Sequence, residues 1–233
     1  MERIDKVISI GLCISRTDAR RLIKIGKVYI GDTRVKAFDT KVDVNDEITV
    51  NGEKLSVQDK VYIIMNKPMG IVCDDKGKFP YAPNTLPEKM RRKDLFCVGR
   101  LDKDTTGLLI ITNDGNFAHK AISPKSNVKK CYRATLAEPI TDENIESAKR
   151  GMTLSDGTKL LPADLQAVDE TNTVVDFIIS EGKYHQIKRM AGAFNNKVLS
   201  LHRLSIGQLF LPESLELGQA KVIDKTQAEK IFK

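Results

Sequence analysis

Apolar positions follow a helical period at the start of the chain and a strand-like pattern after it. Ile4, Val7, Ile8 and Leu12 recur every three or four residues, which predicts a first helix ending near Gly11. Ser15 then stands as a cap with Asp18 three residues later, a variant capping box, and Ala19, Leu22 and Ile23 supply the stripe of a second helix. Past Gly26 the period shortens. Val28-Tyr29-Ile30 and Ile48-Thr49-Val50, the latter closed by Asn51-Gly52, predict short strands of a small sheet. Residues 1–56 thus read as one small domain, the polar residues 57–60 as a linker, and 61–233 as a second, larger domain.

The larger domain is richer in strands. Val61 to Met65 predicts a strand running into a Pro-Gly turn at Asn66-Lys67-Pro68-Met69-Gly70, with Ile71-Val72-Cys73 as a short strand after it. Residues 74–93, with Pro80, Pro83, Pro87 and the basic cluster Lys89 to Lys93, read as a long, irregular, exposed loop. Next, one apolar run ends at Gly99 and another stops at Asn113-Asp114-Gly115, so two strands present a charged loop that carries Asp102. A short helix over 116–123 stops before Pro124, a strand follows through Lys130 to Leu136, and Thr141 caps a helix that Gly151 breaks. Leu165 to Val168 and Thr173 to Ile179 predict paired strands, and a glycine turn at Gly182 opens into a helix dense in cations. Val198 to Leu201 and Arg203 to Gly207 follow, and a terminal helix begins near Gln227. The fold class is α+β, with a mixed, mainly antiparallel sheet and flanking helices in the larger domain.

Composition narrows the function classes. With 41% apolar and 30% charged residues and no apolar run long enough to span a bilayer, the 233-residue chain reads as soluble and, lacking an export-like start, cytoplasmic. Cys13, Cys73, Cys97 and Cys131 lie far apart, and His119, His185 and His202 lack ligand spacing, so no disulfide framework or metal site is expected. The net charge of +7 favours a polyanionic partner such as nucleic acid. In the first 58 residues, 11 basic side chains meet nine acidic ones, so the positive charge there is local to the second helix. Arg16, Arg20 and Lys24 recur every four residues on it, a pattern that suits either a helix laid along phosphates or a solvated face. Tyr132 sits among Lys129, Lys130 and Arg133; a base-stacking ring needs such surroundings, but a core strand tyrosine has them too.

The order Arg3-Ile4-Asp5-Lys6, Ser15 to Ile23, Gly26-Lys27-Val28 and Val44 to Ile48 resembles the small αL RNA-binding domain first described in a ribosomal small-subunit protein. Five further motifs, Asn66-Lys67-Pro68-x-Gly70, Gly99-Arg100-Leu101-Asp102-x-x-Thr105-x-Gly107-Leu108-Leu109, Lys130-x-Tyr132, Glu181 to Met190 and Leu201-x-Arg203-x-x-Ile206-Gly207, occur in one order. Together they resemble the bacterial ribosomal RNA pseudouridine synthases of the small-subunit type over essentially the whole chain. That resemblance implies site-specific conversion of uridine to pseudouridine in 16S rRNA, within a partly assembled small subunit, without a cofactor. It implies Asp102 as catalytic aspartate, Tyr132 as the ring stacked on the target uracil, Lys188 as the partner of Asp102, and Arg100 as a group that displaces or replaces the flipped base. Lys130 and Arg203 join Arg16, Arg20 and Lys24 as expected substrate-binding residues.

The chemistry suits these residue types. A carboxylate can attack the sugar C1′, attack the base C6, or stabilise oxocarbenium character and carry a proton from C2′, and a paired lysine keeps it ionised. Extruding a stacked nucleotide costs a few kcal/mol, which stacking on a tyrosine, roughly 1 to 3 kcal/mol per base, offsets. Two other functions use the same residues: a ribosome-assembly factor that binds RNA without chemistry, and a base-excising glycosylase. Large-subunit RNA is the alternative substrate.

Overall fold

A computed structural model describes residues 1–12, 14–43, 46–55 and 60–233. The chain divides into two compact units, Met1–Lys60 and Val61–Lys233. Residues 57–59 of the expected linker, Cys13, and Val44-Asn45 of the first resemblance lie outside the described residues.

In the first unit the helical period forms helices Ile4–Gly11 and Arg16–Lys24. The Ser15 hydroxyl accepts the Asp18 N–H at 3.1 Å, so the second helix starts where its cap dictates. An antiparallel sheet runs in the order Thr33–Arg34, Val28–Ile30, Ile48–Val50, Glu53–Lys54. Ile4, Ile8, Ala19 and Ile23 from the helices meet Val28, Ile48 and Val50 from the sheet in one core.

The second unit is built on a sheet of nine strands among the described residues. Its order is Asp164–Ala167, Val174–Ile179, Lys130–Leu136, Val198–Ile206, Thr106–Thr112, Tyr62–Lys67, Ala220–Ile223. Leu209–Phe210 and Phe96–Val98 add to Val198–Ile206 and Thr106–Thr112. Every pairing is antiparallel except that of Val198–Ile206 with Thr106–Thr112, which aligns Arg203 with Gly107. Gly107 is required there: φ is +102°, and a β-carbon would fall 2.4 Å from the Arg203 carbonyl oxygen.

Both faces of this sheet are covered, which explains why Ile63 to Met65 and Leu108 to Ile111 are apolar at consecutive positions rather than alternating. Ile63, Met65, Leu109 and Ile111 face one core with Tyr132, Phe177, Ile187 and Met190. Tyr62, Ile64, Leu108 and Ile110 face another with Phe117, Ala121 and Ile231. Helix Gly115–Ile122 is capped by Asp114, and helix Asp142–Arg150 by a Thr141–Asn144 capping box.

Four local expectations change. Ile71 to Cys73 does not form a strand; a single bridge joins Val72 to Tyr81. Residues 74–93 are not wholly exposed, because a 3-10 turn at Ala82–Thr85 drops Ala82 and Leu86 into the core beside Leu95. The segments on either side of His202 form one continuous strand. The terminal helix is a short Lys225–Ala228 turn that tightens into a 3-10 turn at Glu229–Phe232, begun by the Asp224 cap rather than at Gln227.

Candidate active site

The strands Phe96–Val98 and Thr106–Thr112 pair with Val98 opposite Ile110, and the loop between them carries Asp102. Three hydrogen bonds shape this loop, two of them from outside it. The Leu101 N–H donates to Cys73 Sγ at 3.3 Å, the Thr105 N–H to the Asp102 carbonyl at 3.1 Å, and the Gly70 N–H to the Lys103 carbonyl at 2.9 Å. The turn at Pro68 to Gly70 thus braces the loop, a role for that motif that follows from its geometry.

Helix Gln186–Ala193 brings the counter-charge. Lys188 Nζ lies 3.2 Å from Asp102 Oδ2 and 2.6 Å from Asp104 Oδ1. Burial works against the lysine's charge, but the hydrogen bonds to Asp104 and Asp102 outweigh it and raise its pKa. The hydrogen bond from Lys188 likewise lowers that of Asp104. His185 approaches the other side of the same carboxylate, with Nε2 3.6 Å from Asp102 Oδ1. Side chains of one segment thus flank both carboxylate oxygens of Asp102.

Tyr132 comes from strand Lys130–Leu136 and is 8% exposed. In register with it on the neighbouring strand is Arg203, whose Nη1 donates to the Tyr132 hydroxyl at 3.2 Å and whose Nε donates to the Leu108 carbonyl at 2.7 Å. A recess of about 70 Å³ collects Asp102, Thr105, Tyr132, Ile179, Lys188 and Leu201. It adjoins a cleft of about 1000 Å³ that shares Asp102, Arg100, His185 and Lys188 with it. Among the described residues the buried Thr105 hydroxyl has no hydrogen-bond partner. Among the described residues, no group of three His, Cys, Asp or Glu side chains is placed to hold a metal ion.

The structure brings Asp102, Tyr132, Lys188 and Arg100 together, and Arg100 is exposed at the cleft, 3.5 Å from Asp74. Arg203 is 3% exposed, and its polar contacts run to the Tyr132 hydroxyl and the Leu108 carbonyl. Lys130 donates to the Val128 carbonyl at 2.8 Å; burial and then the Arg203 charge lower its pKa to about 8. It lines a second small cavity with Tyr132 and Arg203.

In the first unit, Arg16 and Arg20 do not lie free on a solvated face. With Arg3 they converge on the fully buried Asp5, at 2.9, 2.9 and 3.0 Å, and the Arg20 guanidinium also lies over Phe38. Burial alone would raise the Asp5 pKa, but the hydrogen bonds from Arg16, Arg20 and Arg3 hold it well below the usual carboxylate range. Lys24 is exposed beside Arg20, Arg21, Arg34 and Lys36 along one groove. Arg21, Arg34, Lys36, Asp104 and His185 are site neighbours that periodicity does not single out. The hint for Asp104 is its place two residues after Asp102 in one loop.

Residues 61–193 match the family described as RNA pseudouridylate synthase, and residues 2–48 match the S4 domain. The chain belongs to the RNA pseudouridylate synthase family. The family match contains Asp102, Tyr132 and Lys188, and the S4 match contains Asp5, Arg16, Arg20 and Lys24. The chain is similar to the ribosomal small subunit pseudouridine synthase A of Vibrio cholerae, 39% identical over 99% of this chain and 100% of that protein. It is similar to the protein of the same name in Haemophilus influenzae, 37% identical over 99% and 100%. A crystal structure of a pseudouridylate synthase superposes with a TM-score of 0.71 at 35% identity, covering 99% of this chain and all of that one. No helix among the described residues is long and apolar enough to cross a membrane.

Proposed function

We propose that the protein converts specific uridines of small-subunit ribosomal RNA to pseudouridine, with Asp102 as catalytic carboxylate, Lys188 as its counter-charge and Tyr132 as the stacking partner of the flipped uracil. The observation that carries this reading is the meeting of Asp102, Lys188 and Tyr132 in one recess of a pseudouridylate synthase fold. The names of the full-length relatives support the choice of small-subunit RNA.

The residues account for the demands of the reaction. The N1–C1′ bond breaks, the base turns in place, and a C5–C1′ bond forms while a proton leaves C5 and one is gained at N1. Atoms and oxidation levels balance, so no cofactor is called for. A carboxylate can assist at the sugar or the base, and Lys188 stands 3.2 Å from Asp102 as its counter-charge. The adjoining cleft, lined by Arg100, admits the extruded nucleotide, and in this reading Arg100 displaces or replaces the flipped base. Arg203 fixes the ring of Tyr132 through its hydroxyl.

The S4 unit adds RNA affinity through Lys24 and its groove neighbours Arg21, Arg34 and Lys36, while Arg16 and Arg20 shape that surface through Asp5. The substrate in this reading is ribosomal RNA in a partly assembled small subunit in the cytoplasm. The test is chemical mapping of pseudouridine in both ribosomal RNAs from a strain lacking the gene, with and without the restored chain. A small-subunit position that loses and regains pseudouridine is the expected result. A large-subunit position alone overturns the substrate, and no change at any position overturns the activity.

A further inference from the structure

The recess at Asp102 is small, about 70 Å³, whereas the cleft it adjoins is about 1000 Å³. The cleft therefore holds far more than one base, and its wall carries an aromatic ring, Tyr184, that the chemistry above leaves unused. Tyr184 and His185 are stacked, with ring centroids 3.8 Å apart and planes inclined by 19°. Tyr184 is 70% exposed, so folding gains little from its ring. Among the described residues no other ring or cation stacks on it, which leaves the face away from His185 open.

The pair sits on a turn of defined geometry. His185 has φ +48° and ψ +35°, a left-handed conformation that non-glycine residues seldom adopt, at the position just before helix Gln186–Ala193. Gln186 braces the turn: its Oε1 accepts the Lys183 N–H at 2.9 Å and its Nε2 donates to Glu181 Oε1 at 3.1 Å. The ring next to Tyr184 thus reaches Asp102 at 3.6 Å, while the tyrosine faces the cleft. Arg100, Lys103 and Lys183 on the same cleft supply charge for the sugar-phosphate chain.

We propose that Tyr184, backed by His185, is a stacking platform for an unpaired nucleobase next to the target uridine, so that the cleft binds a single-stranded segment rather than one flipped nucleotide. This rests on the function proposed above. Stacking on a side chain tolerates any base, so the platform selects for strand opening beside the target and not for sequence. It is a second stacking position, separate from Tyr132 in the recess.

The experiment uses the full chain and a small-subunit RNA fragment with 2-aminopurine on either side of the target uridine. Binding to wild-type protein is expected to quench the probe at one flank. Tyr184→Ala is expected to abolish that quenching and weaken binding by about 5- to 150-fold, with kcat at saturating RNA within about twofold of wild type. Tyr184→Phe and Tyr184→Trp should keep both. Unchanged affinity and quenching in Tyr184→Ala would overturn the platform, as would loss of function in Tyr184→Phe, which would assign the effect to the hydroxyl. If wild-type protein makes no pseudouridine yet shows Tyr184-dependent quenching, the platform stands and the isomerisation falls.

Discussion

Lys188 lies closer to Asp104 than to Asp102, at 2.6 Å against 3.2 Å. The lysine is thus shared between a carboxylate assigned to the reaction and one two residues further along the same loop. Asp104 makes the shorter contact with the ammonium and Asp102 the longer one. Lys188→Met removes the ammonium altogether and is expected to lower the single-turnover rate at least about a hundredfold, close to the cost of leaving a part-buried carboxylate unpaired. Asp104→Asn keeps the lysine and should lose no more than about tenfold. Tritium release from 5-tritiated uridine in the RNA measures both.

Lys130 offers a pH dependence with a definite sign. Burial and the nearby Arg203 lower its pKa to about 8, so it sheds its proton above that pH in the folded protein. If its charge assists substrate binding, kcat/KM falls as the pH rises through about 8, and Lys130→Gln is lower below that pH and flat across it. The sign for stability is opposite. Because the folded state disfavours the charged lysine, its contribution to stability improves between about pH 8 and the ordinary lysine value near 10.5. Rate and denaturation profiles on the same variant separate the two.

Asp5 is the electrostatic centre of the S4 unit. Its carboxyl is held well below the usual range, so its contribution to stability is complete above about pH 4 and disappears only as the pH falls through the depressed folded value. Asp5→Asn is expected to cost about 1 to 3 kcal/mol at neutral pH, since one buried acceptor of three arginines loses its charge. Amide hydrogen exchange across helix Arg16–Lys24 in the full chain reads this loss. The difference from wild type should shrink in strong acid. Weakened RNA binding by the same variant would follow from the released arginines and not from a missing phosphate contact.

Much of this architecture can be read from the residues, for local reasons. Ser15 with Asp18 and Thr141 with Asn144 announce their helices because a cap is satisfied within four residues. The loop carrying Asp102 is legible because Gly99 and Asn113-Asp114-Gly115 bracket it with turn chemistry. What escapes a local reading depends on partners far apart in sequence. Arg3, Arg16 and Arg20 share Asp5 only after two helices pack, so the period of four at Arg16, Arg20 and Lys24 reads equally as a phosphate-binding face or a solvated one. Arg203 meets Gly107 through a parallel strand pairing that no turn signals. Ala82 and Leu86 are buried by a proline-set 3-10 turn that composition disguises as a loop. At the site, Asp102 and Lys188 were nameable through the family motifs, whereas His185 owes its place to a left-handed backbone angle.

The proposed reaction turns on Asp102, which Lys188 and His185 flank at 3.2 and 3.6 Å. Asp102→Asn preserves the size of the side chain, and single-turnover pseudouridine formation on bound small-subunit RNA measures its effect most directly. The expected result is RNA affinity within about threefold of wild type together with loss of pseudouridine formation by at least about a thousandfold. Turnover by the variant at the wild-type rate would contradict the account.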